Sequence, residues 1–268
     1  MIKNKNLLYL SLVLVMLLSS CGEYQSALKS EDVKVKYELA EKYYNEGDYK
    51  RAVRLFEQIV PKYVGKPQGE RIIFLYADAY YKREDYYLAA YQFDRFSKSY
   101  PRSEKAEEAS FYGAKSYYEL SPKFSIDQTE TVNAIEKLQL YINKYPDSER
   151  IAEANEMVRE LRIKLEKKAY ERAKQYYTTS YYHAAIKALE LFISDNPGTP
   201  YKEDALFYQF SASYALAINS IQQKKEERLA DAKKLYESFS SDFGESKHMK
   251  EASDMMKTID KELEQFSK

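Results

Sequence analysis

One spacing recurs in this sequence and limits its fold more than any other feature. In three places an alanine is followed twelve residues later by a proline that ends a helical pattern: Ala89 and Pro101, Ala134 and Pro146, and Ala185 and Pro197. Two helices that cross closely need a small residue at the crossing, and aromatic rings fill the space on either side. The spacing therefore predicts helix–turn–helix units that repeat along the chain.

The composition is typical of a helical chain without catalytic chemistry. Only 7 Gly and 7 Pro occur in 268 residues, so turns are few and glycine-built phosphate loops are not expected. The 42 basic and 42 acidic residues cancel, which gives no reason to expect nucleic acid as a partner. One Cys and two His leave no internal disulfide and no zinc cluster, and the motifs of hydrolases, P-loop enzymes and metalloproteases do not occur. We predict a protein that is not an enzyme, with no cofactor and no metal site.

The repeated pattern resembles the tetratricopeptide repeat (TPR), a helix–turn–helix unit with small residues at its helix crossings. The resemblance implies an all-α fold, a TPR α-solenoid of five irregular repeats. The five units cover residues 33–66, 69–103, 105–147, 150–198 and 203–244. An insertion from Glu119 to Glu130 separates the helices of the third unit, and a long helical run opens the fourth. An apolar stripe after Gly244 predicts a C-terminal capping helix, which a solenoid needs to cover its last repeat.

The N-terminus has the pattern of an exported, lipid-modified protein. Lys3 and Lys5 precede an apolar run that is too short to span a bilayer comfortably, and the run ends in Leu-Ser-Ser before Cys21. This end resembles a bacterial lipobox, which implies a signal peptide over 1–20 and acyl chains on Cys21. By analogy with other lipoproteins, Gly22 in place of an aspartate implies the outer rather than the inner membrane. The single acid Glu23 is a poor match to acidic surface-export signals, which favours the periplasmic face. Residues 21–32 are predicted to form a polar tether.

An aromatic stripe lies on the first helix of each predicted unit. The TPR resemblance implies that two positions one heptad apart face a concave groove, and nine of these ten positions are aromatic. We predict a peptide-binding groove formed by Tyr37, Glu41, Tyr44, Phe74, Asp78, Tyr81, Phe111 and Tyr118. A structural alternative stays open, in which the tyrosines only cover the gaps between neighbouring repeats.

Essentially the whole mature chain resembles the BamD family, the TPR lipoproteins of the outer-membrane β-barrel assembly machinery. Segments similar to that family are Ala77 to Lys82, Asp94 to Phe96, and Tyr145 to Ser148. The resemblance implies that residues 33–147 receive unfolded outer-membrane proteins and that residues 148–268 dock on a BamA-like barrel protein. Lys187 to Leu189 stand where a docking arginine is expected, so no docking residue is assigned.

Two other functions remain open at this point. One is a different periplasmic TPR lipoprotein scaffold that coordinates cell-wall synthesis with division, although such proteins combine regular repeats with a coiled coil. The other is a glycan-binding lipoprotein, although sugar-binding platforms favour Trp and this chain has none.

Overall fold

The computed structural model describes residues 22–266, and every regular element in that range is an α-helix. This confirms the predicted all-α class. The first helix, α1, covers residues 22–29. The other helices are α2 (Val33–Asn45), α3 (Tyr49–Tyr63), α4 (Gly69–Lys82), α5 (Tyr86–Ser99), α6 (Ala106–Leu120), α7 (Thr129–Lys144), α8 (Ile151–Thr178), α9 (Tyr182–Asp195), α10 (Lys202–Ile218), α11 (Gln222–Asp242) and α12 (Met249–Leu263).

Consecutive helices pack as the predicted pairs in four of the five units. Helix α2 packs on α3, α4 on α5, α6 on α7, and α10 on α11. The crossing alanines Ala89, Ala134 and Ala185 are fully buried, and so are Ala52 and Ala232, which hold the corresponding positions in the first and fifth units. Helix α12 packs on α10 and α11 with Ala252, Met256 and Ile259 buried, as expected of a capping helix.

The turn inside a helix pair has the same geometry in three repeats. Gly47, Glu84 and Ser180 occupy equivalent positions and all have positive φ angles, of 80°, 63° and 63°. In each case the backbone N–H donates to the carbonyl three residues before it, which closes the C-terminus of the first helix. The sequence supplies a glycine, the residue best suited to this conformation, only in the first repeat.

The structure divides into two compact units. Unit 1 contains the described residues up to Pro122 together with Thr129–Val158, and unit 2 contains Lys123–Gln128 together with the described residues from Arg159 onwards. The change from one unit to the other therefore falls inside α8, and the predicted division of function at residue 147 stays a prediction. Buried aromatic rings fill both cores: Phe56, Phe93, Phe96, Phe111 and Tyr141 in unit 1, and Phe207, Phe210 and Phe239 in unit 2.

The segment expected to be a polar tether is structured where it is described. Residues 22–29 form α1, which packs against the first repeat. Tyr24, Ala27 and Leu28 have the i, i+3, i+4 spacing of one helix face, and they join the core of unit 1. The tether prediction counted the polar residues of this segment and missed the periodicity of its three apolar ones. The predicted lipid-attachment residue Cys21 and the signal peptide lie outside the described residues.

Candidate functional site

Unit 1 contains an open cleft of about 720 Å³. Three first helices of successive repeats, α2, α4 and α6, line the cleft together with the loop before α4. The lining residues are Tyr44, Pro67, Gln68, Glu70, Arg71, Phe74, Leu75, Asp78, Lys82, Lys105 and Glu108. Helix α4 supplies most of them because Arg71, Phe74, Leu75, Asp78 and Lys82 recur every three or four residues along one helix face.

The floor of the cleft is apolar and rests on the aromatic core. The Phe74 ring meets those of Phe93 and Phe96 edge to face, with centroids 5.9 Å and 5.5 Å apart. The Lys105 ammonium lies 5.2 Å from the Phe74 centroid, a cation–π distance. Leu75 is half-buried beside Phe74 in the sequence. The floor therefore presents apolar surface that the protein core holds in place.

A buried carboxylate lies at one side of this floor. Asp78 is only 7% exposed, and the Tyr44 hydroxyl donates a short hydrogen bond to its Oδ2. Burial raises the pKa of Tyr44 well above its usual value, and the hydrogen bond to the negative Asp78 raises it further. Tyr44 therefore keeps its proton at neutral pH and remains a hydrogen-bond donor to Asp78. A buried carboxylate without such a donor would destabilise the folded protein.

Charged side chains of both signs form the rim. Arg71 reaches back to α2, where its Nε lies 3.1 Å from the Tyr37 hydroxyl oxygen and 3.0 Å from Glu41 Oε1. The Glu41 carboxylate raises the pKa of Arg71, although its side chain is 70% exposed. On the opposite side, the Lys105 ammonium lies 2.6 Å from Glu108 Oε2.

Two further rim residues differ in their bonding. Glu70 accepts a hydrogen bond of 2.5 Å from the Ser103 hydroxyl, which links α4 to the turn before α6. Lys82 is exposed and forms no ion pair within residues 22–266. Its ammonium group is therefore available to an acceptor on a bound molecule.

Five of the eight predicted groove residues are brought together here. Tyr44, Phe74 and Asp78 line the cleft, while Tyr37 and Glu41 hold Arg71 at its rim. Arg71 and Lys105 are functional candidates that the sequence analysis missed. The signal for Arg71 was present, because it precedes Phe74 by three residues and so shares its helix face.

The other three predicted residues lie elsewhere in unit 1. Tyr81 is half-buried between the rings of Tyr86 and Tyr112, at centroid distances of 5.5 Å and 5.0 Å. Phe111 is 2% exposed and packs on Tyr141 at 5.3 Å, so its ring belongs to the core and does not face a ligand. Tyr118 is half-buried near the end of α6 and does not line the cleft.

The aromatic stripe of unit 2 is packed between helices. Tyr170 stacks on Tyr201 with centroids 5.3 Å apart, and Tyr177 contacts Tyr208 at 5.4 Å. The Lys174 ammonium lies 4.4 Å from the Tyr208 centroid. Here the tyrosines fill the space between neighbouring repeats, which is what the structural alternative predicted.

These features define an all-α helical-repeat protein with an apolar, charge-rimmed cleft in its first unit. The family model of YfiO, described as outer membrane lipoprotein, matches residues 29–229, and the chain belongs to this family. No helix within residues 22–266 is long and apolar enough to cross a membrane.

Comparisons with individual proteins found weaker similarities than the family model. No curated protein matches the chain. Two solved structures are similar, both of a putative kinesin light chain from Podosopora anserina with nearly identical TPR-like repeats. The first, a variant, has 15% identity and a TM-score of 0.33, and the match covers 82% of this chain and 99% of that one. The second has 16% identity and a TM-score of 0.33, with 77% and 97% covered.

Proposed function

We propose that this protein is a lipid-anchored, non-catalytic subunit of a β-barrel assembly machinery, similar to BamD. In this proposal the cleft of unit 1 binds unfolded outer-membrane proteins before their insertion. Residues 148–268 dock on a BamA-like barrel protein, and the acylated Cys21 holds the chain at the periplasmic face of the outer membrane. Membership of the outer membrane lipoprotein family supports the location, and the cleft supports the binding role.

The observation that carries the proposal is the combination of an apolar floor with a rim of mixed charge. Strands of outer-membrane barrels alternate apolar and polar side chains, and an extended segment presents them on opposite sides. The apolar side chains of such a segment fit over Phe74 and Leu75, while its polar groups and backbone meet Arg71 and Lys105. A fully polar cleft or a fully apolar one would satisfy only half of this pattern.

Leu75→Asp tests the role of the floor because it puts a charge where apolar side chains are expected to dock. Fluorescently labelled peptides from the last strand of outer-membrane proteins are titrated with the soluble chain, and binding is measured by anisotropy. We expect the substitution to weaken binding about tenfold or more, a change of about 1.4 kcal/mol.

Leu88→Asp is the matched control, because Leu88 lies on α5, is 46% exposed and does not line the cleft. Its peptide affinity is expected to equal that of wild type, and thermal melts of both variants report whether they stay folded. A folded Leu75→Asp variant that binds these peptides as well as wild type would contradict the proposal.

A further inference from the structure

Helix α1 bears directly on how the protein is held at a membrane, an inference that rests on the proposed acylation of Cys21. The described part of this helix starts at residue 22, directly after Cys21 in the sequence. Three residues of extended chain span at most about 11 Å, so Tyr24 of α1 lies within about that distance of the acylated residue. The headgroup layer of one leaflet has a thickness of roughly 5–7 Å.

The contacts of α1 fix it to the first repeat over most of its length. Ala27 is 2% exposed, and the Tyr24 ring meets Tyr43 of α2 edge to face at 5.8 Å. The Arg51 guanidinium of α3 lies over both rings, 5.5 Å from the Tyr24 centroid and 5.3 Å from that of Tyr43. A cation between two aromatic rings holds both helices in one arrangement.

Both ends of α1 also have ionic or charge-assisted contacts with α2. Near its N-terminus, Glu23 Oε2 lies 3.1 Å from the Lys42 ammonium. Near its C-terminus, the Lys36 ammonium donates a hydrogen bond of 3.4 Å to the Leu28 carbonyl. A positive charge at this end of a helix is stabilised by the helix dipole. A free tether would form none of these bonds, so α1 is a fixed connection between residue 22 and the first repeat.

We propose that the surface of the first repeat around α1 is a membrane-contacting surface, and that its partner is the phospholipid headgroup layer carrying the anchor. Three basic side chains near this helix are each paired with an acid: Lys42 with Glu23 at 3.1 Å, Arg51 with Asp48 at 3.3 Å, and Arg54 with Glu57 at 3.1 Å. These pairs leave the surface close to neutral, so the acyl anchor is what brings it to the leaflet. The Arg54 side chain is 70% exposed, and its remaining guanidinium N–H groups can donate to phosphate oxygens of the headgroups. Because α2 carries both the α1 contacts and Tyr44, the cleft is then held at a fixed, short distance from the bilayer.

Headgroup quenching in vesicles tests this surface in the acylated full-length protein. Cys21 is the only cysteine and its thiol carries the lipid, so Arg54→Cys provides one site for a fluorescent label. The protein is reconstituted in phosphatidylethanolamine–phosphatidylglycerol vesicles that contain lipids with a headgroup quencher. We expect strong quenching of the label, although position 54 is 33 residues from the anchor in the sequence.

Two variants separate a docked α1 from simple tethering. Twelve Gly and Ser residues inserted between Gly22 and Glu23 extend the reach of the anchor by about 20 Å, and quenching is expected to fall by about half or more. Ala27→Glu places a charge at the buried contact of α1 and is expected to give a similar fall. The same twelve residues appended after Lys268 are the control and should leave quenching unchanged.

The outcomes distinguish this inference from the anchor itself. Protein that stays with the vesicles on flotation but shows no quenching at position 54 overturns the membrane-contacting surface and leaves the anchor intact. Equal quenching in wild type and in the spacer variant overturns it too. Protein that carries no acyl chain by mass spectrometry and does not float with the vesicles overturns both.

Discussion

The buried carboxylate of Asp78 accepts a hydrogen bond from one cleft residue, Tyr44. The carboxylate is almost fully buried, and the Tyr44 hydroxyl is the donor that satisfies it. Tyr44→Phe keeps the ring and removes that donor, so we expect the free energy of unfolding to fall by about 1–3 kcal/mol. Urea unfolding followed by circular dichroism measures the change.

Tyr49→Phe is the matched control, because the Tyr49 ring also packs at this end of α2, 5.6 Å from that of Tyr44. Its hydroxyl donates to no buried carboxylate within the described residues, and the loss is expected to stay below about 0.5 kcal/mol. Equal losses for the two variants would show that the Tyr44–Asp78 hydrogen bond contributes nothing specific.

The raised pKa of Tyr44 also predicts that the free energy of unfolding depends on pH. Burial and then Asp78 raise its pKa above the value of 10.0 that an ordinary tyrosine has. Because the pKa of Tyr44 is higher in the folded state than in the unfolded state, its protonated form contributes to the stability of the folded protein. This contribution is complete at pH values below 10 and is lost as the pH rises beyond 10. The difference in unfolding free energy between wild type and Tyr44→Phe should therefore be constant from pH 7 to 9 and shrink between pH 10 and 11. A difference that grows with pH would contradict this assignment.

At the scale of the element, the turns between paired helices store backbone strain. Glu84 and Ser180 adopt the left-handed conformation that Gly47 adopts in the first repeat. The left-handed conformation costs an L-residue roughly 1–2 kcal/mol. A glycine avoids this cost, but its greater conformational entropy in the unfolded state offsets part of the resulting stabilisation. We expect Glu84→Gly and Ser180→Gly each to stabilise the protein by about 0.5–1 kcal/mol. Thermal and urea unfolding measure the change.

Glu46→Gly is the control for these turns. Glu46 lies one residue before Gly47 and has φ −80°, so a glycine gains nothing there. This substitution should destabilise by about 0.5–1 kcal/mol, the usual cost of a glycine in helical conformation. Stabilisation by all three substitutions would mean that the positive φ angles are not the source of the effect.

The same scale shows what the sequence could and could not predict. The helix pairs and their crossings could be predicted from the sequence. A small residue such as Ala89 at a helix crossing and a proline twelve residues later at the helix end form a pattern that is visible within one repeat. The strained turns could not be predicted, because Glu84 adopts its conformation only when the helices around it are packed. Phe111 and Phe74 have equivalent positions in their repeats, yet one is core and the other lines a cleft. Both rings meet the aromatic residue that follows the crossing alanine by seven positions, Phe96 for Phe74 and Tyr141 for Phe111, so this local pattern could not separate them.

At the scale of the whole molecule, the account depends on one covalent anchor. Cys21→Ala removes the site of acylation, and no helix within residues 22–266 could span a membrane in its place. We expect the variant to fold as wild type by circular dichroism and to leave the membrane fraction when it is purified away from partners. A variant that still floats with vesicles on its own would contradict the lipobox interpretation.

The central claim is that the cleft of unit 1 meets unfolded outer-membrane proteins in the cell, and site-specific photocross-linking tests it most directly. A benzophenone side chain replaces Leu75 on the cleft floor or, as the control, Leu88 outside it. The claim predicts adducts between position 75 and newly exported barrel proteins that have not yet folded, and few or none from position 88. Equal adducts from both positions, or none from position 75 in a variant that is folded and membrane-bound, would contradict it.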